Sequence, residues 1–199
     1  MSRSRAWFAA GPRKVRSGFY AVPFQDGGLP CLLVNGFYPA QARHFTAPGR
    51  TVVAAVLHTD LPWRVLRRDV LGDTYPDRAL PGSIRRTLLE RKADLGLVRV
   101  DITANFAHLS AGPFEAAWEI VNFLGGLSEG PARLEDTRLM ALWQGLGGDP
   151  AMLEDRVRTG IWHPGGAAQD LFGPTEDLDA LSACHLLRRL DQGTVRSLR

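Results

Sequence analysis

The sequence predicts an α/β protein, an α+β sandwich in which a sheet is covered by helices. Strand-like and helix-like segments alternate over residues 1–126, which is the order expected when helices pack on a sheet. The pattern changes at residue 127, after which three amphipathic segments are separated by Gly and Pro. A chain of 199 residues can form one good core and a smaller appendage. We therefore expect a domain over residues 1–126 and a C-terminal helical extension over residues 127–199.

Apolar runs bounded by turn residues predict three strands in the first domain. The run Cys31–Phe37 is typical of a buried strand. The run Arg50–Thr59, RTVVAAVLHT, is a stronger candidate for the centre of a sheet, because it is continuous and stands between a glycine and an aspartate. Leu95–Phe106 mixes apolar and polar residues and is the third. Residues 1–30 are rich in Gly, Pro and Arg, and predict a short first strand and irregular chain.

Helical spacing and end signals predict helices between and after these strands. A short helix begins at Pro39, because the first helical position tolerates proline. The next contains Trp63, and its apolar residues recur at helical spacing until Gly72. A third begins near Ile84, and a fourth begins at Pro113 and ends at two glycines. The extension is expected to hold three more, at residues 132–146, 149–162 and 175–193.

Charge and composition narrow the class of protein. The net charge of +3 is carried almost wholly by arginine, since Lys14 and Lys92 are the only lysines. Spread arginines favour paired hydrogen bonds to small anions, so no nucleic-acid partner is expected. No run reaches the roughly 18 apolar residues of a membrane helix, and Ala6–Ala10 is too short for a secretion signal. Cys31 and Cys184 are expected to be free thiols in a cytoplasmic protein.

The stretch Arg67–Arg86, RRDVLGDTYPDRALPGSIRR, combines three features of a phosphate site. Its arginines can form paired hydrogen bonds with phosphate oxygens, and a threonine hydroxyl stands at a turn. A helix start near Ile84 offers free N–H groups, which attract anions. The stretch therefore predicts phosphate binding.

Two motifs in this chain resemble the nucleoside diphosphate kinase family. The first is GDTYPDRALPGSIR, residues Gly72–Arg85, which is similar to that family's loop and following helix start. The second is the stretch Asn105–Ile120, which resembles the family's active-site signature. Both stand in the family's order, and the resemblance covers about residues 30–125. The positions of the second motif that fall in step are Asn105, His108, Ser110, Ala116, Glu119 and Ile120.

The resemblance implies a ferredoxin-like antiparallel sheet covered by helices, and a phosphotransferase that works by double displacement. His108 would be the nucleophile that takes the γ-phosphoryl group of a nucleoside triphosphate and passes it to a diphosphate or related phosphorylated acceptor. Glu119 would hydrogen-bond the other ring nitrogen and hold the reactive tautomer, and Ser110 would support that carboxylate. An unperturbed histidine has a pKa of about 6.5, and we expect nearby arginines to lower the pKa of His108.

The same resemblance implies a set of phosphate-binding residues. Arg68, Thr74 and Arg85 would surround the transferring phosphates, where donors aimed at the developing charge usually contribute most to catalysis. Asn105 would contact the sugar hydroxyl or the phosphate end. ATP or another nucleoside triphosphate would be the donor, and Mg²⁺ would arrive with it, so no protein metal ligands are expected. The chain would form a homo-oligomer and would have no membrane partner.

Two departures from the family leave the acceptor open. The family has a lysine before a Pro-Asp-Gly turn, whereas here Gly11 precedes Pro12 and no Asp-Gly follows. The family also places a helical hairpin, whose aromatic side chain stacks on the base, where this chain has only TAPGR, residues 46–50. A different pocket could be formed by the C-terminal helices or by Tyr38, Phe45 or Trp63.

Two alternative functions stay open on the sequence. One is a non-catalytic or weakly active nucleotide-binding or regulatory protein on the same fold, which the lost lysine and the lost base clamp motivate. The other is a structural interaction protein built around the C-terminal helices.

Overall fold

The computed structural model describes residues 7, 9–16, 19–35, 42–124, 133–163, 166 and 168–192. The chain divides into two compact units, residues 1–55 and residues 56–199. It is a mixed α/β protein with a three-stranded antiparallel sheet and several helices. The division falls at residue 55, whereas the sequence placed a boundary at residue 127.

The first unit contains the sheet, in the order β1 (Arg13–Arg16), β2 (Phe19–Asp26) and β3 (Leu29–Val34). Both neighbouring pairs are antiparallel. A two-residue turn joins β2 to β3, and its glycines Gly27 and Gly28 have φ angles of 58° and 88°. Such a tight hairpin needs positive φ at both positions, which glycine adopts at no steric cost. The Gly-Gly pair therefore sets the register of β2 against β3.

The prediction for the first unit is confirmed in part. The predicted strand Cys31–Phe37 is β3, which begins two residues earlier, at Leu29; residues 36 and 37 lie outside the described part of the chain. The strand is largely exposed, so the prediction that it is buried is wrong. The predicted helix start at Pro39 also lies outside it, while residues 42–45 are helical as expected. Residues 1–30 contribute β1 and the longer β2, where only one short strand was predicted.

The second unit is mainly helical. The helix α1 begins as Trp63–Val65 and continues as a π-helical turn, Leu66–Leu71. The helix α2 is Ile84–Glu90. The helix α3 is Pro113–Glu119, with proline at its start, and a π-helical turn, Ile120–Leu124, follows it. These three helices confirm the sequence predictions.

The C-terminal part of this unit contains α4 (Arg138–Gly145), α5 (Pro150–Thr159) and α6 (Ala180–Asp191), which confirms its three predicted helices. A two-stranded ribbon, β4 (Ile161–Trp162) and β5 (Gln169–Asp170), lies between α5 and α6 in the chain and was not predicted. None of the helices in the described ranges has both the length and the apolar character needed to cross a membrane.

One hydrophobic core joins α3 to the C-terminal helices. Phe114 and Ala117 of α3 are buried in the same cluster as residues of α4, α5 and α6. At its edge, Arg156 of α5 makes two hydrogen bonds of 2.9 Å to the carboxylate of Asp191, which also accepts one of 2.9 Å from the Trp162 indole. The helices after residue 127 therefore support the segment that carries Glu119. The largest fully buried side chains of this cluster are Phe114, Trp143, Leu153, Trp162, Leu171 and Leu187.

The predicted central strand at Arg50–Thr59 is wrong. Residues 51–60 form no helix or strand, and no described residue pairs with them in a sheet. A central strand is buried and has hydrogen-bonded neighbours on both sides, whereas Val53 exposes 96% of its surface and Val52 and Leu57 are also exposed. The residues of this run favour a β-strand, but their sequence alone does not show whether another strand is available to pair with them.

The predicted strand at Leu95–Phe106 is also wrong. Asp101 folds the chain into a turn, because its carboxylate accepts hydrogen bonds from the backbone N–H groups of Thr103 at 2.8 Å and Ala104 at 3.0 Å. The only bridge in this segment joins Asp101 to Ala104 across that turn. Local side-chain bonding of this kind competes with a sheet ladder. With both predicted strands unpaired, the ferredoxin-like sheet is not confirmed.

Two glycines beside Trp143 provide a matched test of the core. A Cβ at Gly148 would overlap the Trp143 ring, whose indole N–H donates to the Asp149 carbonyl at 2.8 Å, whereas a Cβ at Gly145 would meet nothing within 4 Å. Neither glycine has the positive φ that disfavours a side chain. We expect Gly148→Ala to lower the free energy of unfolding by about 1–3 kcal/mol through overpacking. Gly145→Ala, at the end of α4, should raise it by up to about 1 kcal/mol. Urea denaturation of both variants measures the contrast, and equal effects would contradict this packing.

Candidate active site

The centre of the site is Glu119, whose two carboxylate oxygens each accept a hydrogen bond. Oε1 lies 2.6 Å from Nε2 of His108, and Oε2 accepts the Ser110 hydroxyl at 2.5 Å. An ionised carboxylate can only accept, so the hydrogen on the His108 ring stands at Nε2. The structure therefore brings together the three residues for which the sequence predicted catalytic roles.

Local chain geometry explains why these side chains meet. His108 and Ser110 lie in the segment before α3, and Glu119 is the last α-helical residue of α3. The N–H of Ala111 donates to the Glu115 carboxylate, which ties the chain before α3 to the first turn of that helix. Glu119 lies four residues after Glu115, so both carboxylates project from the same face of α3 toward that chain.

The His108 ring is open to solvent on its other side. Its side chain is 67% exposed, and Nδ1 has no hydrogen-bond partner among the described residues. With the hydrogen at Nε2, Nδ1 carries a lone pair in the neutral ring. A lone pair on an accessible nitrogen is what a nucleophile needs. Nδ1 is thus the atom at which chemistry can occur.

The pKa of His108 is raised, chiefly by the hydrogen bond with Glu119. Burial and the nearby Arg85 act in the opposite direction but do not outweigh it. Arg85 lowers the pKa of His108 as expected, but the net shift is upward because the directly bonded carboxylate outweighs the more distant cation.

The pKa of Glu119 is shifted in the other direction. Burial of the carboxyl opposes its ionisation, but the hydrogen bonds from His108 and Ser110 outweigh burial and lower the pKa. A group with a lowered pKa stabilises the fold above its ordinary pKa, about 4.3, and this contribution is lost as pH falls through the folded value. For the raised pKa of His108, the contribution is complete below about pH 6.5 and is lost as pH rises through the folded value. The pair of protonated His108 and ionised Glu119 thus stabilises the fold most at mildly acidic pH, between the ordinary pKa values of the two groups.

Arg85 lies next to this pair and is nearly buried, with 8% of its surface exposed. Its guanidinium donates to the carbonyl of Gly72 at 3.0 Å and to that of Ala107 at 2.9 Å. Its buried Nε has no hydrogen-bond partner among the residues that the structure describes. Burial lowers the pKa of Arg85, although Asp73 opposes that shift. The positive charge of Arg85, held at the carbonyl of Ala107 just before His108, favours an anion near the ring.

Gly72 lets the turn before α2 pack closely. Its φ is 94°, and a Cβ there would lie 2.6 Å from Oγ of Ser83 and 2.9 Å from Cβ of Ala79. Ser83, just before α2, is fully buried, and its hydroxyl donates to the Leu80 carbonyl at 2.7 Å. The motif Gly72–Arg85 therefore folds as one compact turn, which presents a carbonyl to Arg85.

The other predicted phosphate-binding residues are not in contact with His108. Arg68 is exposed, and its guanidinium bonds the neighbouring Asp69 at 2.5 and 2.9 Å. This pairing raises the pKa of Arg68. Thr74 is exposed and Asn105 is half-buried, and neither side chain hydrogen-bonds a described residue. The binding roles of these three residues stay predictions.

Arg67 was not predicted as a site residue, whereas its neighbour Arg68 was. The Arg67 guanidinium contacts the carbonyl of Ala111 at 3.5 Å and the carboxylates of Glu176 and Asp177. Burial opposes its charge, but these two carboxylates outweigh burial and raise the pKa of Arg67. Arg67 lies four residues after Trp63 and so shares its face of α1, but this spacing does not reveal the distant carboxylates that it binds.

The three aromatic residues that were predicted as candidates for a base pocket lie in different surroundings. The Trp63 indole is committed to the Ser110 carbonyl at 2.9 Å. Phe45, in the first unit, is exposed and lies edge-on to His44. Tyr38 lies outside the described residues. Within the described ranges, no three His, Cys, Asp or Glu side chains form a group that could hold a metal ion.

Removing the Glu119 charge tests the cause of the His108 shift. In Glu119→Gln, the largest cause of the upward shift is gone, and burial and Arg85 oppose protonation of His108 against Glu115 alone, so we expect its pKa to fall below the wild-type value. An NMR titration of the His108 ring protons measures this directly. The matched control is Glu154→Gln, whose carboxylate pairs with Arg158 instead. An unchanged His108 titration in Glu119→Gln would show that the carboxylate is not the cause.

No family model, curated protein or solved structure matches this chain. The chemistry of the site is therefore inferred from the groups that form it. These are an imidazole held at Nε2 by a carboxylate, a free Nδ1 in solvent, and a buried guanidinium beside them.

Proposed function

We propose that this protein is a phosphotransferase of nucleoside diphosphate kinase type. It would move a γ-phosphoryl group from a nucleoside triphosphate to a diphosphate or a related phosphorylated acceptor, through a phosphohistidine at His108. The observation that carries this proposal is the state of the ring, held through Nε2 by Glu119 at 2.6 Å while Nδ1 is open. The likeness of residues Gly72–Arg85 and Asn105–Ile120 to that family supports the same chemistry.

The first half-reaction would form one bond and break another. The Nδ1 lone pair attacks the γ-phosphorus of the donor, and the bond from that phosphorus to the bridging oxygen breaks, leaving a nucleoside diphosphate. The ring becomes positively charged, and Glu119 keeps the hydrogen at Nε2 and stabilises that charge. In the second half, an oxygen of the acceptor phosphate attacks the phosphorus and Nδ1 regains its lone pair. No net proton transfer is required.

The cations near the ring would bind the phosphates. Arg85 lies beside the nucleophile, and the described residues provide no acceptor for its Nε. Arg68 would exchange Asp69 for a phosphate oxygen, and Thr74 and Asn105 have uncommitted side chains for the same ligand. Mg²⁺, bound to the phosphate oxygens of ATP or another triphosphate, would neutralise charge during transfer.

A ferredoxin-like sheet, a homo-oligomer and a cytoplasmic location belong to the same proposal. Val53 and Val98 expose 96% and 97% of their surfaces, in the two segments that the sequence predicted as strands. Contact with a second copy of the chain would cover these side chains, which are costly to leave in water. Nucleoside triphosphates are cytoplasmic metabolites, and so the enzyme would act there.

One observation favours a second function, a nucleotide-binding or regulatory protein without efficient turnover. The chain makes a tight turn at residues 47–50, closed by a 3.2 Å hydrogen bond from Arg50 to Ala47, and no hairpin is present there to stack on a base. A protein of this kind would bind nucleotide and hold no covalent phosphate.

Labelling with γ-phosphate-labelled ATP and Mg²⁺ separates the two functions. We expect acid-labile, alkali-stable label on the wild type and none on His108→Ala, because the phosphorus–nitrogen bond of phosphohistidine hydrolyses in acid. The control His185→Ala removes an exposed ring in α6 and should label like the wild type. Nucleotide binding without label on any variant would reject the enzyme and support the second function.

Arg85 gives a second test of the proposed chemistry. We expect Arg85→Met to slow labelling of His108 by about 10²–10³-fold, as loss of one preorganised donor to a transition-state oxygen does. It also leaves two carbonyls without a donor, so thermal unfolding should be measured alongside. The control Arg86→Met removes the neighbouring guanidinium, which pairs with Glu90. A folded Arg85→Met variant with a wild-type labelling rate would remove Arg85 from the mechanism.

A further inference from the structure

A segment of the C-terminal region, Thr175–Asp179, packs against the chain that follows Ser110; we name it the C-terminal clasp. The N–H of Asp177 donates to the carbonyl of Ala111 at 2.9 Å. A Cβ at Gly112 would lie 2.5 Å from the Thr175 carbonyl oxygen, so only glycine fits beneath the clasp. The clasp thus lies directly on residues 111 and 112, between Ser110 and the start of α3.

Arg67 joins the clasp to the site. Its NH1 donates to Asp177 at 2.7 Å and to Glu176 at 2.8 Å, and it lies 3.5 Å from the carbonyl of Ala111. The Arg67 side chain is 30% exposed, so these contacts are partly shielded from water. Partial shielding makes such charge-assisted hydrogen bonds stronger than surface ion pairs.

Trp63, one turn earlier on α1, makes a parallel pair of contacts. Its backbone N–H donates to the Asp179 carboxylate at 2.8 Å, and its indole N–H donates to the Ser110 carbonyl at 2.9 Å. One face of α1 therefore holds both the clasp and the backbone of Ser110. The hydroxyl of that same serine is the one that donates to Glu119.

The clasp is itself fixed to the core. Thr175 is fully buried, and its hydroxyl lies 2.9 Å from the carbonyl of Leu171 and 3.2 Å from that of Phe172. Asp177 has a φ of 59°, a left-handed conformation that a non-glycine residue adopts at a cost. Such a conformation persists where its surroundings hold it, and here Arg67 and Ala111 do so.

We propose that the C-terminal clasp is a positioning element of the phosphoryl-transfer site and that Arg67 is its positioning residue. The inference rests on the proposed function. Arg67 and the clasp fix residues 110–112, Ser110 then fixes the Glu119 carboxylate, and Glu119 orients the His108 ring. A ring misplaced by about 1 Å loses up to about 10²-fold in rate, since reacting atoms must meet in line.

The main experiment compares Arg67→Met with the control Arg156→Met. Arg156 also pairs with a C-terminal carboxylate, that of Asp191, but this pair lies at the edge of the core and bonds neither the clasp nor the residues of the site. We expect Arg67→Met to slow the labelling of His108 by about 10–10²-fold at saturating ATP, with little change in KM, because ring orientation and not binding is lost. Arg67→Lys should restore most of the rate. An unchanged rate in folded Arg67→Met, or a loss confined to KM, would overturn the proposal.

Substituting the two carboxylates that bind Arg67 tests the same contact independently, again by the rate of His108 labelling. The double variant Glu176→Gln, Asp177→Asn removes both carboxylates, and asparagine tolerates the left-handed conformation at 177. If Arg67 acts through this pair, the double variant should slow labelling as Arg67→Met does, and combining all three changes should add little. Additive losses would show that Arg67 acts elsewhere.

A readout that needs no turnover separates failure of this proposal from failure of the proposed function. In Arg67→Met, loosening of Ser110 and Glu119 should change the NMR titration of His108, which Arg67→Lys and Arg156→Met should leave at the wild-type position. If the His108 titration shifts in Arg67→Met but the wild type is never labelled, the proposed kinase activity is rejected and the positioning role of Arg67 is kept. An unchanged titration would reject the positioning role even in an active enzyme.

Discussion

The hydrogen bonds to Glu119 are the interaction on which the site depends. One oxygen holds Nε2 of His108 and the other holds the Ser110 hydroxyl, so a single carboxylate fixes both the tautomer and the place of the ring. Glu119 is in turn fixed by α3, whose buried face packs in the core with the C-terminal helices. The chemistry of His108 therefore depends on packing that includes residues far along the chain.

The helices could be predicted from the sequence because their causes are local. Pro113 at the start of α3, and the apolar spacing of α1 and the last three helices, act within a few residues. The strands could not be predicted in the same way, because a strand exists only when another segment pairs with it. Val53 lies in an apolar run that pairs with no strand among the described residues. The Gly27–Gly28 turn, a hairpin signal that was overlooked, lets β2 and β3 pair with each other.

The same distinction applies to the site. The resemblance predicted that His108, Ser110 and Glu119 would meet, and the chain can bring them together locally because Glu119 follows His108 by only 11 residues. Arg67 could not be chosen over Arg68 from sequence, because its partners Glu176 and Asp177 lie 109 and 110 residues away. Side-chain direction on α1 separates two adjacent arginines, and only the folded chain fixes that direction. The resemblance of two motifs identified residue types, whereas tertiary contacts decide which of them are close.

The openness of the His108 ring has a consequence for any group that it carries. A phosphoryl group on Nδ1 would stand in bulk solvent, where water competes with every acceptor for the phosphorus. The lifetime of that state would then be set by how soon an acceptor arrives. Because the ring is 67% exposed, an acceptor would approach it from the solvent side.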